Sequence, residues 1–322
     1  MSTISIVIPV FNAEATLHEL CSAITTEIAD ATSDFEIILV DDCSRDGSWQ
    51  VIESLASGND RIRGIALGRN FGQHNALLCG IRSARHEIVI TLDDDLQHPA
   101  SQIPVLLNEL AKGYDVVYGV PKAKQHGFLR NIASRITKLA LQGAIGMKVA
   151  RDVSAFRAVR TRLREGFANF QSPFVSIDVL LTWSTSKYSS VKVEHRARAV
   201  GESNYTLRKL ISHAFNIVTG YSAVPLKLAS IVGFTLTMFG LLILGYVLVR
   251  YFVHGSSVPG FAFLASIITI FSGTQMFVMG IFGEYLARIH FRTLNRPPYF
   301  VRGGTDIEGE LQQQTSRTTC EG

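Results

Sequence analysis

Two uncharged apolar runs near the C-terminus constrain this chain most. Leu228–Val249 and Pro259–Gly283 contain no Asp, Glu, Lys, Arg or His. Each is long enough, at roughly 20 residues or more, to cross a bilayer as a helix. Neither lies at the N-terminus, which excludes a signal peptide reading for both. A buried core helix explains one such run. Two joined by a short loop predict a membrane hairpin. The rest of the composition agrees: 47% of the 322 residues are hydrophobic, and mean hydropathy is +0.21.

Basic residues orient the hairpin. Arg208, Lys209 and Lys227 precede the first run, and Arg288, Arg292, Arg296 and Arg302 follow the second. The loop 250–258 carries only Arg250 and His254. The expectation is a multi-pass protein of the inner (cytoplasmic) membrane, with both ends and the domain before the hairpin in the cytoplasm. Its basic residues near the spans would meet anionic lipid headgroups. Cys21, Cys43, Cys79 and Cys320 are scattered and form no CxxC pair, which fits a reducing compartment and argues against zinc or a disulfide framework. A net charge of +4 does not point to nucleic acid.

The N-terminal part alternates short β-branched runs with helical periods. Strands are expected at 4–8, 35–40, 62–67, 87–92 and 115–118. Helices are expected at 14–28, 49–55, 74–84 and 104–112. Such alternation predicts a mostly parallel, Rossmann-like sheet covered by helices on both faces. His126–Gly146 carries an apolar stripe beside Arg130, Arg135 and Lys138, the pattern of a basic helix lying on a membrane or on the sheet. Thr206–Tyr221 is amphipathic and leads into the first apolar run. The expected organisation is therefore an α/β domain over 1–205, an interfacial segment over 206–226, the hairpin over 227–287 and a cytoplasmic tail over 288–322. The tail is polar from Gly303 onward and is expected to be disordered.

The chemistry concentrates at the ends of the strands. Thr91–His98 reads TLDDDLQH, directly after an apolar run. Unit charges 4 Å apart repel by roughly 4 kcal/mol at an effective dielectric of 20. Water, backbone donors or a cation must offset that cost. Mg²⁺ or Mn²⁺ gripping a phosphate as well would do so, and open α/β sheets bind ligands beyond their carboxyl strand ends. An acidic turn that caps the next helix is the simpler alternative for the triplet alone. Pro9–Glu14 and Val40–Ser44 lie at neighbouring strand ends: Phe11 offers a face for a base, and Asp41 or Asp42 an acceptor for a base N–H. Asp93 and Asp95 are placed to hold a metal that bridges a diphosphate. GxGxxG and GxxxxGK[ST] are both absent.

These pieces, with Gly201–Tyr205, Arg69–Ala76, the ending 283–301 and the hairpin, resemble the membrane-anchored polyprenyl-phosphate glycosyltransferases of family 2, which have the GT-A fold. The resemblance covers roughly residues 3 to 302 and is strongest to the branch that handles formamido-arabinose. It implies that Pro9, Phe11, Glu14, Asp41, Asp42, Asp93 and Asp94 bind a nucleotide-sugar donor, preferably UDP-linked. It implies a metal site at Asp93, Asp95 and Gln97, and catalytic positions at Asp95, Asp152 and Arg157. The polyprenyl-phosphate acceptor would meet Arg130, Ser134, Arg135, Arg198 and Ser203. Three departures from the family pattern stand out: Ala13 where many relatives have Glu, Asn204 for the common Lys, and Ala155 for Gly or an acid. The processive-synthase signature QxxRW is absent. A transferase acting on a glycan or glycolipid hydroxyl is the alternative reading, and a non-catalytic membrane scaffold a third. Gly233 and Gly240, and Gly273 and Gly280, recur at seven-residue spacing and allow close helix packing, within the hairpin or in a homo-oligomer.

Overall fold

The strands β1 (Ile4–Val10), β2 (Phe35–Asp41) and β3 (Ile62–Leu67) are buried at every position. A strand buried on both faces needs cover on both faces, and the helices supply it. In the computed structural model, which describes residues 3–28, 32, 34–122, 152–195, 224–254 and 260–305, side chains alternate between two apolar clusters. Ile4, Ile6, Ile8 and Val10 pack towards α1 (Leu17–Ile28) and α4 (Ile103–Leu110). Val7, Ile38 and Val40 face the other cluster with α3 (Gln73–Ser83) and the later helix α5 (Ile177–Ser184). The two-residue period of a strand produces this division.

The described strands form one sheet in the order β7-β5-β6-β4-β1-β2-β3-β8. The other strands are β4 (Ile88–Thr91), β5 (Val116–Pro121), β6 (Arg157–Arg160), β7 (Tyr188–Val193) and β8 (Val301–Gly304). Helix α2 (Ser48–Gly58) connects β2 to β3. The core β4-β1-β2-β3 is parallel, as expected. The whole sheet is mixed, because β6 runs antiparallel to both β4 and β5, and β8 antiparallel to β3. The expectation of a mostly parallel sheet therefore holds for the centre and fails at β6 and β8.

The chain rejoins the sheet after the long helices. Residues 301–305 return to the sheet instead of leaving the fold. Ile65 pairs with Gly304, and the Gly64 N–H donates to Thr305 Oγ1 at 2.9 Å. Residues 301–305 thus extend the sheet at its β3 edge.

Two long helices precede that return: α6 (Val224–His254) and α7 (Phe261–Thr293), which lie against each other. Ala229–Val247 in α6, with a mean hydropathy of 2.0, is long and apolar enough to cross a membrane. Phe234, Leu242, Phe252, Met276, Phe277 and Leu286 are exposed on the two helices.

Candidate active site

The register of the sheet brings three loops together. Val10 pairs with Asp41 and Val7 with Thr91, so the loops after β1, β2 and β4 leave adjacent strands at one edge. Side chains then tie loop to loop. The Phe11 N–H donates to Asp94 Oδ2 at 3.1 Å, and the Asn12 N–H to Ser44 Oγ at 3.0 Å. Arg45 N–H returns a bond to Asn12 Oδ1 at 2.8 Å. Glu14 N–H donates to Asp46 Oδ2, and Gly47 N–H to Glu14 Oε2 at 2.9 Å. Asn12, Cys43 and Leu96, one in each loop, have φ of 54°, 60° and 60°. Left-handed backbone at a non-glycine residue costs on the order of 1–2 kcal/mol. Such outliers persist where surrounding structure enforces them, and they cluster at active sites.

The acidic triplet divides its labour. Asp94 is a tie, since its carboxylate accepts from Phe11 and its carbonyl from Thr16 Oγ1 at 2.7 Å. Asp95 Oδ1 accepts the Gln97 N–H, closing the turn. Asp93 Oδ1 accepts from Gln73 Nε2 at 2.6 Å. Burial, then the neighbouring charges of Asp95 and Asp94, push the Asp93 carboxyl up to about 7, against the pull of Arg157 and Gln73. The loop is overloaded with negative charge, a condition that a bound cation relieves.

The other expected donor residues sit around this loop. Pro9 is buried in β1, and Phe11 is 41% exposed at the edge. Asp41 and Asp42 are both buried. Asp41 Oδ1 accepts the Ser44 N–H. Both oxygens of Asp42 are engaged inside the chain, by the N–H groups of Phe71 at 2.7 Å and Gly72 at 2.8 Å. Burial raises the Asp42 carboxyl and these two bonds pull it back.

Behind the triplet lies a buried polar floor. Arg157 is 2% exposed and is ion-paired with Asp178; its Nε donates to Thr91 Oγ1 at 3.1 Å. Tyr118 OH also donates to Asp178, at 3.1 Å. Thr91 Oγ1 in turn donates to the Ala155 carbonyl at 2.6 Å. Asp152 stands further along, accepting from Ser190 Oγ of β7 at 2.8 Å. Gln97 offers its carbonyl to His195 Nδ1 at 2.9 Å, and His98 is stacked between His195 and Phe156. Burial and His195 push the His98 imidazole down to about 4.

Sequence reasoning assigned no role to Gln73, Thr91, His98, Asp178 or His195. Gln73 lay inside the Arg69–Ala76 segment that carried part of the resemblance, and His98 directly follows the triplet. Nothing local marks Asp178 or His195. Arg130, Ser134, Arg135, Arg198 and Ser203, with the two amphipathic segments that hold them or follow them, fall outside the described residues. Among the described residues, no group of three or more His, Cys, Asp or Glu side chains is arranged to hold a metal ion.

Comparison with known proteins closes the reading. Residues 5–167 match Glycosyl transferase family 2. The chain is 35% identical over 301 residues to an undecaprenyl-phosphate 4-deoxy-4-formamido-L-arabinose transferase of Pseudomonas fluorescens (strain SBW25), covering 92% of this chain and 88% of that one. It is 34% identical to the protein of the same name from Shewanella sediminis (strain HAW-EB3), covering 93% of this chain and 91% of that one. Among solved structures, glucosyl-3-phosphoglycerate synthase of Mycobacterium tuberculosis, crystallised with Mn²⁺, UDP-glucose and phosphoglyceric acid, superposes with a TM-score of 0.50 at 21% identity. That match spans 68% of this chain and 78% of the synthase, and it establishes the shared GT-A fold. The family match, the length of the shared sequence and the sheet-edge carboxylates together make this chain a member of glycosyl transferase family 2, and a glycosyltransferase.

Proposed function

We propose that this enzyme moves a sugar from a nucleotide-sugar donor, preferably UDP-linked, to undecaprenyl phosphate or a similar polyprenyl phosphate at the cytoplasmic face of the inner membrane. The product would serve cell-envelope glycan or lipid modification. The observation that carries the reading is the crowded acidic loop at the sheet edge, with Phe11 exposed beside it. The relatives named for undecaprenyl phosphate support the acceptor, and the apolar Ala229–Val247 helix supports a membrane location. A hairpin of α6 and α7 would hold the site at headgroup height.

The donor set fits a hard divalent cation. Carboxylate oxygens suit Mg²⁺ and Mn²⁺. Mg²⁺ commonly takes only one or two protein carboxylates and completes its shell with water and substrate phosphates. Asp93 and Asp95, with Gln97 beside them, would hold it, and their mutual repulsion makes its charge welcome. When bound, the cation neutralises charge that develops on the departing diphosphate. The chain's own residues supply the rest. Phe11 stacks on the base, and the loop ties from Asn12, Glu14 and Ser44 hold it there. Arg157 backs Asp93 from inside the fold. A phosphate monoester, with a second pKa near 6, is already mostly ionised at neutral pH, so attack on the anomeric carbon needs little proton abstraction and would invert configuration. Asp152 then orients substrate more than it acts as a base. Arg130, Arg135 and Arg198, with Ser134 and Ser203, would offset the repulsion between two anionic substrates.

The test incubates purified enzyme with undecaprenyl phosphate and radiolabelled UDP- and GDP-sugars, with Mn²⁺, Mg²⁺ or EDTA. Label should enter the lipid extract only with a divalent cation. Label transferred instead to a glycan hydroxyl, or lipid labelling undiminished by EDTA, would overturn the assignment.

A further inference from the structure

The segment that follows α7 reaches into the wall of the active site. Asn75 is 5% exposed in the first turn of α3, and its Nδ2 donates both to the Pro298 carbonyl and to the Pro173 carbonyl. Seven residues earlier, the Gly68 N–H donates to the Phe300 carbonyl at 2.9 Å. The loop between these anchors is held in the middle as well, because Asp42 accepts from Phe71 and Gly72. Gly72 takes φ of 97° there, a conformation that side-chain-bearing residues rarely adopt. Gln73, though exposed, is therefore delivered on a loop pinned at three places, and its Nε2 meets Asp93 Oδ1 at 2.6 Å. A donor fixed on one carboxylate oxygen stops rotation of the group and aims the other oxygen.

We propose that Gln73 and Asn75 are positioning residues for the cation site: Gln73 orients the Asp93 carboxylate, and Asn75 fastens the loop that carries Gln73 to the strap leaving α7. The end of the second long helix and the donor site thereby form one mechanical unit. The proposal rests on the reading that a divalent cation binds at Asp93 and Asp95. Partners of this outer kind commonly contribute 10- to 100-fold to metal affinity.

The test is Mn²⁺ titration of the full-length protein in detergent with UDP present, followed by the EPR signal of free Mn²⁺, alongside thermal melting. Gln73→Ala should weaken Mn²⁺ affinity about 10-fold or more with an unchanged melting temperature. Asn75→Ala, or Asn75→Ser where the first variant melts early, should weaken it about threefold or more, since it acts through Gln73. A folded variant of either residue that binds Mn²⁺ like the unaltered protein overturns the role given to that residue. Failure of the unaltered protein to bind Mn²⁺ with UDP removes the cation reading itself, and the proposal with it.

Discussion

Asp93 and Arg157 are neighbours in the charge balance of one loop, yet their substitution should have opposite consequences. The Asp93 carboxyl keeps its proton to about pH 7 in the folded protein, whereas in an unfolded chain it loses it near 4. Between those values the folded state binds more protons, so this group's stabilisation is complete below about pH 4 and is lost as pH rises through 7. Asp93→Asn, neutral throughout, should abolish transfer but make the metal-free protein more stable at pH 8, by about 1–2 kcal/mol after allowing for solvent at a half-buried group. The gain should shrink as pH falls below 7 and vanish at about pH 3, below the unfolded pKa. Urea denaturation in EDTA at the two pH values checks this, and equal gains at both would refute the explanation. Arg157 is buried against Asp178, and its loss leaves that carboxylate the Tyr118 hydroxyl as its partner among the described residues. Breaking a buried pair from one side costs about 3–5 kcal/mol. Arg157→Ala should lower stability by an amount of that order, while Asp152→Asn, facing the exposed Ser190 bond, should leave stability unchanged and lower kcat. A stable, inactive Arg157→Ala protein would return Arg157 to direct contact with substrate.

At the scale of elements, α3 lies in close contact with β1. A Cβ placed on Gly80 would lie 2.3 Å from Val7 Cγ1 and 3.2 Å from Val40 Cγ2. Val7 belongs to a central strand and its branched side chain has little rotamer freedom. Gly80→Ala should therefore destabilise by about 1–3 kcal/mol, overriding the helix propensity that alanine adds; a chemical denaturation midpoint at or above the original would contradict it. This joint also shows what was legible beforehand. Strands β1, β2 and β4 announce themselves through apolar runs rich in Ile and Val, β3 through a shorter one, and α1 through its 3–4 spacing, because burial on both faces leaves a strong local pattern. β6 reads Arg-Ala-Val-Arg and β8 Val-Arg-Gly-Gly, with no such pattern. Partners distant in sequence hold them: β4 and β5 flank β6, and β3 pairs with β8. The site follows the same rule. Asp93 and Phe11 were readable because strand-end chemistry places them. That Asp42 turns towards Phe71 and Gly72, and Arg157 towards Asp178, depends on loops and helices that no local spacing encodes.

The whole molecule imposes a condition of parity. β7 ends at Val193 and β8 begins at Val301, and both belong to one sheet. Everything between them must leave the sheet and come back to the same side of any membrane. If Ala229–Val247 crosses the bilayer, an even number of crossings is required, and among the described residues α7 is the long helix available for the second. Its uncharged stretch ends just before Glu284, and the Arg residues that follow sit where cytoplasmic flanks collect positive charge. Of the four glycines expected at a close helix contact, Gly240 alone meets a neighbour: a Cβ there would lie 3.0 Å from the Phe271 ring of α7, whereas Gly233, Gly273 and Gly280 have nothing within 4 Å. The prediction is a short outward loop between the helices with both helix ends that face the sheet inside. In a protein with Cys43 and Cys320 changed to Ser, leaving Cys21 and Cys79 buried, a cysteine at Ser256 should react with an impermeant maleimide added to intact cells. A cysteine at Thr293, at the far end of α7, should react only after the membrane is opened. Labelling of both positions from outside would mean that α7 does not cross, and the pairing of β8 with β3 would then require that α6 does not cross either.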